Sequence, residues 1–342
     1  MTSLERVLAA LEGKPQPRPP FTLTLTLSLY GARLTGCPLT EYYRRPERYA
    51  EGQEAVSDLC APDILFSPFA LTLEAEAFGS ELKFLPANPP NVRKPAVRSA
   101  DEFIRLPLPD VDSHPSLLYL RESVRQMAKK HSGTTPICGI MTASVDLPAI
   151  IMGIDMWIET LLFEPEKAAT ILEMTHRHFV NLANALLADG ATFIGLTTVS
   201  SNPRILYPKM IETVILPALA RSFLELNGKI VFHHGANPMV PLLKDYLALP
   251  NVTAFLIDHR DSLGEARKII GPDRLLLGNL NGPTLARTPM DKVMEQVEAI
   301  LDDRKDDPCF LFSSSAADVP WETPPELLQA ISGTIGAFTR PA

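Results

Sequence analysis

Side chains able to do chemistry gather at a few short places in this chain: His233 and His234, Asp258 and His259, Asn279 and Asn281, and Ser313 to Ser315. Three of the seven histidines thus fall in two neighbouring patches. Imidazole and carboxylate together exchange protons near neutral pH, because an ordinary His titrates at about 6.5 and an adjacent Asp orients its ring. On this reading His234, His259 and Asp258 are the catalytic candidates. The same residue types suit zinc, which accepts three protein ligands from His and carboxylate and keeps an open position. His233, His234 and His259 would then be the ligands. A third reading makes them satisfied polar groups closing one end of the fold. Consecutive strand residues point to opposite faces, so His233 and His234 share a face only if the strand turns at its end. Asn237, Asn279, Asn281 and Ser314 offer amides and a hydroxyl to a polar substrate, although Asn also makes turns and Ser also caps helices. Tyr30 and Trp321 offer walls for a flat ligand or ordinary packing, and Glu74 and Glu76 offer carboxylates to a substrate or are solvated residues of a hairpin.

The elements that must position these groups are eight short apolar runs alternating with helical stretches. They are FTLTLTL from Phe21, PDILFS from Pro62, TPICGIM from Thr135, ATFIGL from Ala191, KIVFHH from Lys229, VTAFLID from Val252, RLLLGN from Arg274 and CFLFSS from Cys309. Eight such units are the count of a (β/α)8 barrel, whose chemistry collects at the C-terminal strand ends. Those ends carry Ser28 and Tyr30, Ser67, Thr142, Thr197 and Thr198, His233 and His234, Asp258 and His259, Asn279 and Asn281, and Ser313 to Ser315. The chain is expected to form one barrel domain over 1–342, with an N-terminal helix to about residue 14 and an insertion over about 69–115. In that insertion, strand-like pairs in LTLEAEAFGSELKF and beyond, flanked by Pro and Asn, predict a hairpin over the barrel mouth. Apolar residues at Ala168, Leu172, Phe179, Leu182 and Leu186 predict a long helix ending at Gly190. His176 and His178 lie within it and are expected to be surface or packing residues.

Composition narrows the class. With 46% hydrophobic residues over 342 positions the chain can bury a large core. A net charge of -8 supplies no basic footprint, so no nucleic-acid partner is expected. No run approaches the roughly 18 apolar residues of a membrane span, and the N-terminus lacks a signal-peptide core, so a cytoplasmic protein is expected. Cys37, Cys60, Cys138 and Cys309 have no CxxC spacing and read as reduced thiols. Neither a phosphate loop of the GxxxxGK[ST] kind, nor GxGxxG, nor GxSxG occurs.

Several stretches resemble the uroporphyrinogen decarboxylase superfamily, which includes cobamide-dependent methyltransferases: ILFSPFALTLEAEAFGSELKF from Ile64, GIMTASVDL from Gly139, LYPKMIETVILPALARSF from Leu206, VFHHGAN from Val231, LLLGNLNGP from Leu275 and VPWETPPELLQAI from Val319. The resemblance implies a (β/α)8 barrel. Decarboxylases of this family carry Arg-Gln-Ala-Gly-Arg-Tyr after strand 1, where this chain reads LSLYGARLTG with only Arg33. An octa-acidic porphyrinogen needs several charge-assisted partners. The decarboxylases' catalytic Asp after Phe-Ser at strand 2 is replaced by Pro68. LEAEAFG instead resembles the methyltransferase branch, which implies that Glu74 and Glu76 lie near the mouth, Glu74 as a substrate contact. Many members of that branch bind zinc through His-x-Cys and a later Cys, where this chain has Phe232, His234 and Ala317. The resemblance therefore implies a corrinoid-linked methyltransferase, working with a cobalamin-carrying partner protein on a small methyl donor or acceptor such as a methoxylated aromatic, methylamine, methylthiol or folate. Zinc enters only as a rearranged site. The alternatives are a decarboxylase-like lyase and a non-catalytic relative that binds a corrinoid or another ligand.

Overall fold

The computed structural model describes residues 1–23, 27–235, 237–315 and 319–340. All eight apolar runs form strands. In chain order these are β1 (Phe21–Thr22), β2 (Leu65–Phe66), β5 (Ile137–Thr142), β6 (Phe193–Thr197), β7 (Ile230–His233), β8 (Val252–Leu256), β9 (Leu275–Asn281) and β10 (Phe310–Ser315); β3 (Glu81–Lys83) and β4 (Asn91–Lys94) lie in the insertion. The eight pair in parallel in the order β1-β10-β9-β8-β7-β6-β5-β2, the curled sheet of a (β/α)8 barrel with helices around it. Between β1 and β2 the backbone N–H of Asp63 donates to Phe21 O at 2.7 Å, which brings the two ends of the sheet together.

Strand alternation sorts the side chains into two cores. Ile64, Phe66, Cys138, Ile140, Phe193, Leu256, Leu277 and Leu311 fill the lumen, while a larger core including Leu196, Phe232, Phe255, Leu276 and Phe312 lies between sheet and helices. The helix Ser3–Leu11 belongs to the lumen side: Val7 and Ala10 pack on Ile64, Phe193 and Leu275 and stop the N-terminal end of the barrel. Its start is fixed by a capping box between Thr2 and Glu5. Asp63 anchors the same end. Its fully buried carboxylate accepts from Arg6, from Arg18 Nη1 at 2.7 Å, from Ser3 Oγ at 2.8 Å and from the Phe21 N–H at 2.9 Å.

The insertion differs in part from the sequence expectation. Its hairpin is present, but as the short antiparallel pair β3–β4, and LEAEA belongs to a helix, Thr72–Ala77. Glu, Ala and Leu are strong helix formers, and that intrinsic preference prevails here over the strand-like look of the segment.

Candidate functional site at the barrel mouth

The register aligns Thr142 of β5, Thr197 of β6 and His233 of β7 side by side. His233 in turn pairs with Leu256, a lumen residue, so the row faces the axis. All three side chains are buried, and among the described residues Thr142 Oγ1, Thr197 Oγ1 and both His233 ring nitrogens have no hydrogen-bond partner. Buried polar atoms are normally satisfied within the fold, so such a row at the catalytic end of a barrel is a candidate ligand-contacting surface. Burial, aided by the neighbouring His234, pulls the His233 imidazole down to about 4, and Asp258 opposes only part of that shift. At neutral pH His233 is therefore an uncharged ring with one donor and one acceptor.

Beyond β8 the chain supplies Asp258 and His259. Asp258 Oδ1 accepts from Arg260 N at 3.0 Å and Arg260 Nε at 2.6 Å, whereas Oδ2 is buried with no partner among the described residues. Burial works to raise this carboxyl, but the Arg260 hydrogen bonds and His259 outweigh it and hold it below the usual range. His259 Nδ1 stands 3.6 Å from Asp258 Oδ1, its ring is partly exposed, and its backbone N–H donates to Ser315 Oγ at 2.9 Å. The pair thus links a buried carboxylate to solvent.

His234 takes the opposite face from His233, as alternation requires. Its Nδ1 meets Pro238 O at 3.0 Å and its Nε2 meets Tyr246 Oη at 3.0 Å, and burial lowers its pKa. Both nitrogens are thus engaged away from the axis. The three histidines named as zinc ligands are accordingly not brought together, and among the described residues no three His, Cys, Asp or Glu side chains converge on one point. Ala317, the position compared with the last family Cys, lies outside the described residues. The donor set does not fit zinc.

The remaining substrate-binding candidates are mostly braces. Tyr30 donates to Thr323 O at 2.5 Å and accepts from Arg33 Nη1 at 2.9 Å, and Arg33 also reaches the Trp321 and Thr323 carbonyls. The only arginine of the post-strand-1 segment is therefore committed to backbone. Glu74 accepts from Thr142 N at 2.7 Å and meets His178 Nε2 at 3.2 Å, tying the insertion helix to β5. His178 is thus a fully buried partner of a mouth residue, a link hidden by a sequence separation of 104. His176 is also buried, against Ser222. Asn237 donates to Gly235 O at 3.0 Å, a turn contact. Asn279 donates to Asp258 O and Asp261 O, both at 3.0 Å, and so holds the loop carrying Asp258. Asn281 pairs in register with Ser315 at the rim, and Ser314, one residue out of phase with the lumen row, is fully buried.

Sequence reasoning missed Asp146. It is buried after β5, and its carboxylate accepts from Val199 N, Ser200 Oγ at 2.7 Å, Ser200 N at 3.3 Å and Ser201 N at 2.8 Å. It joins the loops after β5 and β6. Burial raises its pKa against those hydrogen bonds. A cavity of about 480 Å³ lies here, with Thr142, Asp146, Thr197 and Ser200 as its polar lining on the barrel side. A smaller apolar void of about 40 Å³ continues below His233 into the lumen.

Residues 2–337 match the family model described as uroporphyrinogen decarboxylase (URO-D). The chain belongs to the uroporphyrinogen decarboxylase family. Within the family it is similar in two directions. It is 28% identical to a uroporphyrinogen decarboxylase of Trichlorobacter lovleyi, over 94% of this chain and 95% of that one. It is 24% identical to the methylcobamide:CoM methyltransferase MtaA of Methanosarcina barkeri, over 87% and 88% of the two chains. A solved methyltransferase from Methanosarcina mazei shares the fold with a TM-score of 0.86 at 21% identity, covering 98% of both chains. Among the helices described, none is long and apolar enough to cross a membrane.

Proposed function

We propose that this family member is a methyltransferase, moving a methyl group between a corrinoid carried on a partner protein and a small substrate seated beside the Thr142–Thr197–His233 row. The observation that carries this reading is the chemistry of the mouth. No Lys or Arg is among the described side chains lining the cavity, and Arg33 is bound to backbone carbonyls. A porphyrinogen with eight carboxylates would be buried there without counter-charges, a cost of several kcal/mol per unpaired ion. Methyl transfer asks for less charge. It is an in-line displacement at carbon, so the protein's main task is to hold donor and acceptor aligned. The corrinoid supplies the reactive metal centre on the partner's side.

On the substrate side, the heteroatom that loses a methyl keeps the bonding electron pair and takes up a proton; one that gains a methyl releases a proton. His233, neutral and pointing into the lumen, hydrogen-bonds that heteroatom without bringing charge. His259, backed by Asp258, passes the proton to or from solvent. His234 positions His233 by holding the chain after β7. Family membership with methyltransferases and with decarboxylases alike supports an enzyme.

The test supplies the purified chain with free reduced cobalamin and a panel of methyl ethers, thioethers and amines, and follows the corrinoid absorbance. In parallel, carbon dioxide release from uroporphyrinogen III is measured. Corrinoid methylation with no carbon dioxide is expected, and His259→Ala is expected to slow it by about 10²-fold or more. Carbon dioxide release without methylation would return the chain to the decarboxylase reading.

A further inference from the structure

The 480 Å³ cavity is walled on one side by the insertion, through apolar Leu71, Val92 and Pro95 with the neutral polar Thr72 and Asn91, and on the other by Ile150, Ile154 and Val199 from the loops after β5 and β6. Its size falls within the range of small-molecule sites. Two buried hydroxyls without partners among the described residues, Thr142 Oγ1 and Thr197 Oγ1, belong to its lining. Among the described residues Asp146 is the only titratable side chain lining it, and its oxygens already accept from three backbone N–H groups and a serine hydroxyl. An anion entering this space would lose its hydration, meet no cation among the described lining residues and face a buried carboxylate. A cation would find that carboxylate already occupied by its own loop. A neutral molecule with one or two ether or hydroxyl oxygens meets mainly apolar walls and uncharged hydroxyl and amide partners.

The geometry points to an uncharged methyl ether or thioether about the size of a substituted ring as the occupant of this cavity, with Asp146 excluding anionic analogues. The inference rests on the methyltransferase reading for the role of the occupant, but not for its binding. A sulfonated thiol or a polyglutamyl folate does not match the lining, and a methylamine or methanethiol would leave most of the space unfilled.

Isothermal titration of the full chain with three probes tests it: 1,2-dimethoxybenzene, its carboxylated analogue 3,4-dimethoxybenzoate, and tetramethylammonium. The neutral ether is expected to bind at least about tenfold more tightly than the benzoate, a gap of about 1.4 kcal/mol. Ala149→Phe, which fills the cavity from the helix Leu147–Met152, is expected to abolish ether binding, and Asp146→Asn to narrow the gap. Equal or tighter binding of the benzoate or of tetramethylammonium would overturn the assignment, as would ether binding unchanged in Ala149→Phe. Should Asp146→Asn fail to fold, the probe ranking on the native chain and the Ala149→Phe result still decide. Selective ether binding without corrinoid chemistry would defeat the methyltransferase reading and leave the cavity assignment standing; turnover confined to anionic substrates would do the reverse.

Discussion

At the scale of the residue, His233 decides what the mouth is. Its ring is buried among apolar lumen residues, so it is neutral where an exposed histidine would be partly charged. Between its ordinary value near 6.5 and its folded value of about 4, the unfolded chain binds a proton that the folded chain refuses. The stability owed to the neutral ring is therefore complete above about pH 6.5 and is lost as the pH falls toward 4. At 1.36 kcal/mol per unit the loss is about 3 kcal/mol. Urea unfolding at pH 7 and pH 4 should show a pH dependence larger by that amount in the native chain than in His233→Leu; equal dependence would place the proton elsewhere. The His-His pair was legible in the sequence as a candidate site, but which ring faces the axis was not. That choice depends on the phase of β7, which only its pairing with β6 and β8 sets. Asp146 was overlooked for a different reason: it lies in the family-like run GIMTASVDL, but nothing in that run shows what it binds, and its partners at 199–201 lie on another loop.

At the scale of the element, close packing and long-range pairing govern. The eight strands could be read from their apolar runs because parallel strands covered on both faces have little choice of residue. The helix Thr72–Ala77 could not, because six residues give periodicity too little length to speak. Two helices flanking β1 and β2, Leu27–Thr35 and Pro46–Cys60, meet at Gly31 and Gly52. A Cβ on Gly52 would stand 2.6 Å from the Tyr42 ring and 3.0 Å from the Gly31 backbone. Gly52→Ala is therefore expected to cost about 1–3 kcal/mol, through overpacking. Gly333, exposed in the helix Pro325–Ala337 with nothing near its missing Cβ, should respond in the opposite sense. Gly333→Ala is expected to gain about 0.5–1 kcal/mol, the ordinary helical benefit. Melting temperatures of the two variants, moving in opposite directions, would check both.

At the scale of the whole molecule, the barrel's N-terminal end is held by a few charged groups around Asp63. Arg6 from the first helix and Arg18 from the following turn both end on this fully buried carboxylate. Removing one partner of a buried ion pair leaves the others unpaired, so Asp63→Asn is expected to lose about 3 kcal/mol or more in chemical denaturation. A loss below about 1 kcal/mol would show that the seam is held by backbone pairing alone. The seam itself pairs Phe21 with Phe312, and Arg340 further joins Pro17 O and Gln16 Oε1. The two sides of that seam are made at opposite ends of translation. At roughly 5–20 residues per second, the ribosome delivers β10 some 15–60 s after β1. For that interval the nascent chain carries an unsatisfied strand edge and an open lumen, the state in which a chaperone would meet it.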